Sequence, residues 1–308
     1  MPSNFLTTVD GDIILRAGPE PDSKHDFRVH KFILSLASSV FKDMFTLPQP
    51  PDQNQNEGLD IPIIDVPDSP EILNMILRFI YPGVEPPEIA NVSTLAALFS
   101  AADKYNILSI YPVLKESMKM FLPRDSFMVY ITACRFGFSE EAKEAARVSN
   151  SLSMVDRDYD EAVQHISGPE LYRFVRFVQE REHKGQAKIQ GLLSWSHLRG
   201  QSTCEHWEDG RDFYSLLEKE VGDAFVRNPC LELKDLFEVF DKIPDPPRGG
   251  CDLPKSADWY NEGGDDDAFS CPLVPMSIRR NLREVVVELQ DLNYMLLRRA
   301  FAKDIASR

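Results

Sequence analysis

The chain has no long apolar run, and this absence sets the first limit on its class. No stretch of the sequence approaches the ~18–20 consecutive apolar residues that a membrane-spanning helix requires. The N-terminal segment MPSNFLTTVD also lacks the apolar core of a secretory signal. The sequence therefore predicts no membrane partner.

Basic charge is scarce as well. Lysine and arginine total 34 residues against 49 aspartates and glutamates, which gives a formal net charge of −15. Binding to a nucleic acid requires a positive surface that displaces counterions from the phosphates. Because the sequence contains no long run of Lys or Arg, it predicts no nucleic-acid partner.

Cysteine is rare, and the five cysteines are odd in number and dispersed. Without a signal core, this usage predicts reduced thiols in a protein of the cytoplasm and/or nucleus. Cys204 and His206 could form half of a zinc site that Cys230, Cys251 or Cys271 completes. Structural zinc sites usually contain two tight ligand pairs and this sequence has one, so buried thiols are the favoured interpretation. We predict no metal and no cofactor, with zinc on Cys204, His206, Cys230 and Cys271 as the alternative.

The short motifs of common enzymes are missing too. The sequence has no G-x-S-x-G elbow, no P-loop and no G-x-G-x-x-G. Cys134 and Cys230 have no base beside them in the sequence, and the many carboxylates are explained by solubility. His30 is best explained as an orienting residue where a strand meets a helix. We therefore predict no catalytic residues and no enzymatic activity.

The most informative part of what is present lies between residues 12 and 45. Apolar residues alternate at Ile13 and Leu15, and again at Phe27 and Val29 beyond a Gly-Pro turn. The spacing then becomes helical, with apolar residues at Phe32, Ile33, Leu36, Ala37, Val40, Phe41, Met44 and Phe45. The pattern predicts two strands followed by two helices.

Motifs in this stretch and beyond it resemble the BTB/POZ domain. They are D-I-I-L at 12–15, F-x-x-H-K at 27–31, S-x-x-F-x-x-M-F at 38–45 (its serine being Ser38 or Ser39), a strand at 59–63, Tyr81-Pro82-Gly83, and N-V-x-x-L with A-A-D-x-Y-x-I at 91–107. The resemblance covers residues 5–122. It implies an α+β fold in which a small β-sheet is flanked by a cluster of α-helices.

The resemblance also implies a protein–protein interaction module, most often a homodimer. In the family, the first helix contributes apolar surface to a two-fold interface, which places Phe32, Ile33 and Leu36 there. Asp12 and Lys31 match an acidic and a basic position that form a charged pocket near the dimer axis. An ion pair that fixes register is the favoured interpretation of these two residues, with partner docking as the other. Only about ten residues precede the first strand, so the exchanged N-terminal element of some family dimers is not expected, and a weaker dimer or a monomer stays open.

A cullin-type ubiquitin ligase adaptor is the alternative function. Family members that recruit a cullin use the positions of Met44, Phe45 and Tyr81. They also carry a hydrophobic-x-Glu motif a few residues after the M-F pair. Residues 47–51 read Leu-Pro-Gln-Pro-Pro, so the glutamate is missing, which weakens this alternative. Leu47 is a candidate substitute anchor.

A mostly α-helical region is predicted after the BTB-like part. Pro123 is expected to break a helix and mark the start of a helical extension at 123–200. A helical C-terminal region at 201–308 follows, with a Pro/Gly/Asp-rich loop at 244–275. The tract at 130–146 resembles extensions in fungal BTB proteins.

Two helices of this region carry specific expectations. The helix that opens at Gly168 is predicted to weaken around residues 183–185. The last helix, at 277–303, places Ile278, Leu282, Val285, Leu289, Leu292 and Leu296 at alternating spacings of four and three. A short coiled-coil seam is one explanation for this pattern, and an amphipathic helix folded back on the preceding helices is the favoured one.

Overall fold

The computed structural model describes residues 6–18, 24–47, 61–151, 159–193, 211–243 and 273–301. The chain divides into two compact units, Met1–Thr132 and Ala133–Arg308. The first unit is α+β and the second is helical in its described part, which confirms the predicted fold class.

The first unit contains a three-stranded sheet of β1 (Ile13–Ala17), β2 (His25–Val29) and β3 (Ile63–Val66), in the order β2-β1-β3. β1 runs antiparallel to β2 and parallel to β3. The alternation that predicts β1 is confirmed, because every second residue of β1 is fully buried on one face of the sheet.

The third strand begins later than the sequence predicts. It was expected at 59–63 and lies at Ile63–Val66, while residues 59 and 60 fall outside the described part. Pro62 has no N–H to donate to a ladder, so it precedes the strand. Its carbonyl still accepts a hydrogen bond from the Ile14 N–H at 2.9 Å.

Helices cover the sheet and complete the first unit. They are α1 (Lys31–Ala37), α2 (Ser39–Thr46), α3 (Pro70–Ile80), α4 (Val92–Lys104), a 3₁₀ turn (Leu108–Ile110) and α5 (Tyr111–Arg135). α3 begins where its residues predict, since the Ser69 hydroxyl accepts from the Ile72 N–H and Pro70 occupies the first turn.

α5 is interrupted close to the predicted position. Asp125, two residues after Pro123, has non-helical backbone angles of φ −153° and ψ 48°. The helix resumes and ends at Arg135, and the two compact units divide between Thr132 and Ala133.

The second unit is built around one long helix. Its elements are α6 (Ser139–Val148), α7 (Asp160–Val163), α8 (Gly168–Leu193), α9 (Arg211–Arg227), α10 (Leu233–Asp241) and α11 (Leu273–Ala300). α8 packs against α6, α9 and α11.

The prediction that α8 weakens near residues 183–185 is wrong. The helix continues through Gly185 to Leu193. Gly185 is buried, and a Cβ at this position would overlap the Phe225 ring of α9. The glycine therefore permits close packing of two helices, and this packing outweighs its low helix propensity.

The folded-back interpretation of the last helix is confirmed. Five of its seam residues are buried within the unit, namely Leu282, Val285, Leu289, Leu292 and Leu296. α11 packs on α8 and α10, and one core joins α11 residues to Ile189 and Leu193 of α8. This core therefore contains side chains from both of the predicted helical regions, 123–200 and 201–308. Among the described residues, no helix has the length and apolar content to cross a bilayer.

Candidate protein-interaction surface

Asp12 caps the start of α1 through its side chain. Its Oδ1 accepts a hydrogen bond from the Lys31 backbone N–H at 2.7 Å. His30 occupies the N-cap position, but its side chain makes no capping hydrogen bond. Asp12 therefore supplies, from a distant part of the sequence, the acceptor and the negative charge that a helix N-terminus favours. Among the described ion pairs, none joins the Lys31 ammonium to Asp12, so the expected side-chain pair is replaced by a contact with the backbone.

The segment that carries Asp12 is held against β2. The Thr8 N–H donates to the Arg28 carbonyl at 2.9 Å, and the Asp12 N–H donates to the Val29 carbonyl at 3.0 Å. A Cβ at Gly11 would lie 2.7 Å from both the nitrogen and the oxygen of Val29. Only glycine permits this approach, so Gly11 helps to position Asp12.

Tyr81 lies in the interior beneath the strand–helix junction. Its Oη accepts from the His30 backbone N–H at 2.7 Å and lies 3.2 Å from the ring Nδ1 of the same residue. Burial leaves the side chain 7% exposed and raises its pKa above the ordinary value, while the His30 N–H works in the opposite direction. Asp12 and Asp10 raise the pKa further. The ring that was predicted to face a cullin therefore contributes to the core.

α1 presents two large apolar side chains to solvent. Phe32 is 72% exposed and Leu36 is 74% exposed, and the two lie one turn apart on the same face. Ile33 is half-buried. Leu34, which is fully buried, anchors the opposite side of the helix in the core. Two of the three α1 residues predicted for the interface are thus displayed together.

The end of α2 forms a second exposed apolar group. Leu47 is 63% exposed directly after the helix, and Met44 and Phe45 are half-buried. Phe45 packs against the buried Phe41, whose ring also stacks on Tyr105 with centroids 4.5 Å apart. The three predicted residues at this end of α2 therefore lie partly at the surface, while Tyr81 does not.

Ser38 fixes the start of α2. Its Oγ accepts from the Phe41 N–H at 3.0 Å and donates to the Tyr105 carbonyl at 2.5 Å. Of the two serines that could begin the S-x-x-F motif, Ser38 is the capping one. Sequence reasoning did not single out Gly11 or the link from Ser38 to Tyr105. The cap has a local signal in the serine three residues before Phe41, whereas the close approach of Gly11 has none.

The described residues contain no cluster of three or more His, Cys, Asp or Glu side chains arranged to hold a metal ion. Cys204, His206, Cys251 and Cys271 lie outside the described residues, so the zinc alternative is not tested there. The Cys230 Sγ lies 3.2 Å from Nη1 of Arg147, and burial raises the pKa of this thiol. Burial therefore favours the neutral thiol over the thiolate that a metal would need.

The first unit thus combines a small mixed sheet, several helices and an exposed apolar face on α1. The profile of the BTB/POZ domain matches residues 8–122 of the chain. These residues form a BTB/POZ domain, which belongs to a family of non-catalytic domains that mediate protein–protein interactions, including self-association. The protein therefore contains a protein-interaction module.

Curated relatives from two animals share this part of the chain. TD and POZ domain-containing protein 1 from Mus musculus is 31% identical over 94 residues, which cover 30% of this chain and 24% of the relative. BTB and MATH domain-containing protein 40 from Caenorhabditis elegans is 32% identical over 107 residues, which cover 34% of this chain and 25% of that relative. The chain thus spans about a quarter of the length of the curated relatives it matches. The resemblance of the 130–146 tract to fungal proteins stays a prediction.

Proposed function

We propose that this protein is a non-enzymatic scaffold that self-associates through the apolar face of α1. The observation that supports the proposal is the exposure of Phe32 and Leu36 one turn apart. Full burial of one such side chain is worth about 1.5–3 kcal/mol. A second copy of the chain offers the same face, and a two-fold axis would pair the two α1 helices.

Asp12 and Lys31 belong to the polar edge of this proposed interface. Asp12 is exposed and Lys31 is half-buried, at the end of α1 where Phe32 begins the apolar face. Interface rims are polar and remain in contact with water. In the proposed dimer, the Lys31 ammonium would lie at that rim, and Asp12 would keep α1 in place.

Light scattering on the full chain across a concentration series tests the self-association. We expect the wild type to approach twice the monomer mass and Leu36→Asp to remain a monomer, because the charge would have to be buried in the interface. Leu108→Asp is the matched control, since Leu108 is also an exposed leucine of the first unit, at 63% exposure. A monomeric wild type, or equal loss in both variants, would contradict the proposal.

The end of α2 supports a second candidate, the cullin-type adaptor. The observation in its favour is the exposed Leu47 beside the half-buried Met44 and Phe45. We expect Leu47→Asp to weaken binding to a cullin N-terminal domain by about tenfold or more if Leu47 is an anchor. Leu108→Asp again serves as the control. Because Tyr81 is buried, a Tyr81→Ala variant would report loss of folding as much as loss of a contact.

Two variants distinguish the two candidate functions. Leu36→Asp should abolish self-association and leave cullin binding, whereas Leu47→Asp should do the reverse. We also propose that the protein acts in the cytoplasm and/or nucleus, in keeping with its cysteine usage. Fluorescence microscopy of a tagged full chain tests this, and accumulation in the secretory pathway would contradict it.

A further inference from the structure

A groove lies between α8 and α11 in the second unit, with a volume of about 380 Å³. Phe177, Leu296 and Ala300 supply its apolar part. Three arginines line it as well, namely Arg173, Arg176 and Arg299. The groove thus combines an apolar base with several guanidinium groups.

The described residues that line the groove include more basic than acidic side chains. Glu180 is the carboxylate that lines it beside the three arginines. One Glu180 oxygen lies 3.3 Å from Nη1 of Arg299 and 2.6 Å from Nζ of Lys184, and the other lies 3.9 Å from Nε of Arg176. A single carboxylate is therefore shared among three cations, and arginines outnumber carboxylates among the described lining residues.

The arginines are accessible to a ligand. The side chains of Arg176 and Arg299 are 58% and 65% exposed. Arg173 lies with its guanidinium carbon 5.6 Å from the centre of the Phe301 ring, which holds it beside the groove. The planar guanidinium group matches the geometry of a carboxylate and can bind one through two parallel hydrogen bonds.

We infer that this groove binds an acidic peptide segment of a partner protein. Carboxylates of the peptide would pair with Arg176 and Arg299, and an apolar side chain of the peptide would contact Phe177 and Leu296. The complementarity is local, because the chain as a whole carries a net charge of −15. That overall charge disfavours a long polyanion such as a nucleic acid, whose affinity depends on many phosphate contacts. A short peptide needs only the groove. The inference does not depend on the proposed self-association, which involves the first unit.

The position of Glu180 leads to a specific test of the inference. Its carboxylate already contacts the two arginines that the peptide would use, so it competes with the ligand from within the protein. Replacing it by glutamine removes that competition while keeping the size of the side chain. Glu180→Gln should therefore bind the acidic peptide more tightly than the wild type does. A variant damaged in folding would not give this result.

Fluorescence polarisation with the full chain provides the test. The probe is a fluorescein-labelled peptide of repeated Glu-Glu-Phe-Asp, compared with its Gln-Gln-Phe-Asn counterpart and with labelled oligothymidine. We expect Arg176→Gln/Arg299→Gln to bind the acidic peptide at least about tenfold more weakly, because two charge-assisted contacts are lost. The neutral peptide should bind the wild type about as weakly as the acidic peptide binds this double variant.

Arg227→Gln/Arg283→Gln is the matched control, since both residues are exposed on helices of the same unit and do not line the groove. It should bind the acidic peptide as the wild type does. Equal loss in both double variants would overturn the inference in favour of general electrostatic attraction. Tighter binding of oligothymidine than of the peptide would overturn it in favour of a nucleic-acid site. An unchanged affinity in Glu180→Gln would also contradict it.

Discussion

Arg181 is the clearest example of a single residue that organises a unit. It is fully buried, and its guanidinium donates to the carbonyls of Ala146, Arg147 and Ser149 at the end of α6. Burial lowers its pKa to about 10, which leaves it charged at neutral pH. A cation at a helix C-terminus is favoured by the helix dipole and satisfies carbonyls that have no partner within the helix.

We expect Arg181→Met to lower the free energy of local opening of α6 by about 2 kcal/mol. Methionine removes the desolvated charge, which on its own would be favourable. It also leaves the Ala146 and Ser149 carbonyls without this donor, and each orphaned buried acceptor costs about 1–3 kcal/mol. The loss of these hydrogen-bond donors should outweigh the gain from removing the buried charge. Hydrogen exchange of peptides covering residues 139–151 measures the change.

A matched variant separates this effect from a general loss of arginine. Arg176→Met changes an exposed arginine on the same helix, α8, and should leave exchange in α6 within about 0.5 kcal/mol of the wild type. If Arg181→Met exchanged as slowly as the wild type, the capping role of Arg181 would be wrong.

At the scale of the elements, a charged pair joins β1 to β2. Arg16 and Asp26 lie opposite each other in the strand register, and Arg16 Nε donates to Asp26 Oδ1 at 2.7 Å. This hydrogen bond is the main cause that lowers the pKa of Asp26, against the opposing effect of partial burial. The carboxylate therefore favours the folded state when it is ionised.

The sign of the pH dependence follows from that lowered pKa. The contribution is present above the unfolded Asp pKa of about 3.9 and is lost as pH falls through the lower folded value. Because the Asp26 side chain is 45% exposed, its size is limited to about 0.5 kcal/mol. We expect Asp26→Asn to lower the free energy of unfolding by this amount at pH 7 and to match the wild type near pH 2.

Urea unfolding at the two pH values measures the difference. Asp43→Asn is the control, since it makes the same charge change at an exposed position of α2. A pH-independent difference between Asp26→Asn and the wild type would show that the pair acts through packing and not through charge.

The elements also show which signals a sequence carries. Alternation and helical spacing predict β1, β2, α1 and α2, because these patterns come from burial of one face of each element. The third strand begins at Ile63, later than predicted, because Pro62 has no N–H to donate to the ladder. The weak point predicted in α8 is absent because Phe225, forty residues away along the chain, fills the space beside Gly185.

For the whole molecule, the motifs locate the interaction domain but not how its residues are used. Phe32, Leu36 and Leu47 lie at the surface as an interface requires. Tyr81 and Asp12 instead bond to backbone groups far away in the sequence. Sequence spacing cannot distinguish these roles, because a contact across the fold depends on where the chain returns in space. The groove between α8 and α11 likewise joins residues more than a hundred positions apart.

The contact between Asp12 and α1 has a further consequence. α1 is seven residues long, and an isolated helix shorter than about 12–15 residues is marginal in water. Asp12 and the buried Leu34 keep it wound before any partner arrives. The conformational entropy of ordering this surface is therefore spent during folding and not during association. A partner that docked on α1 as proposed would meet a helix that is already formed, which would favour fast and specific recognition from a small area.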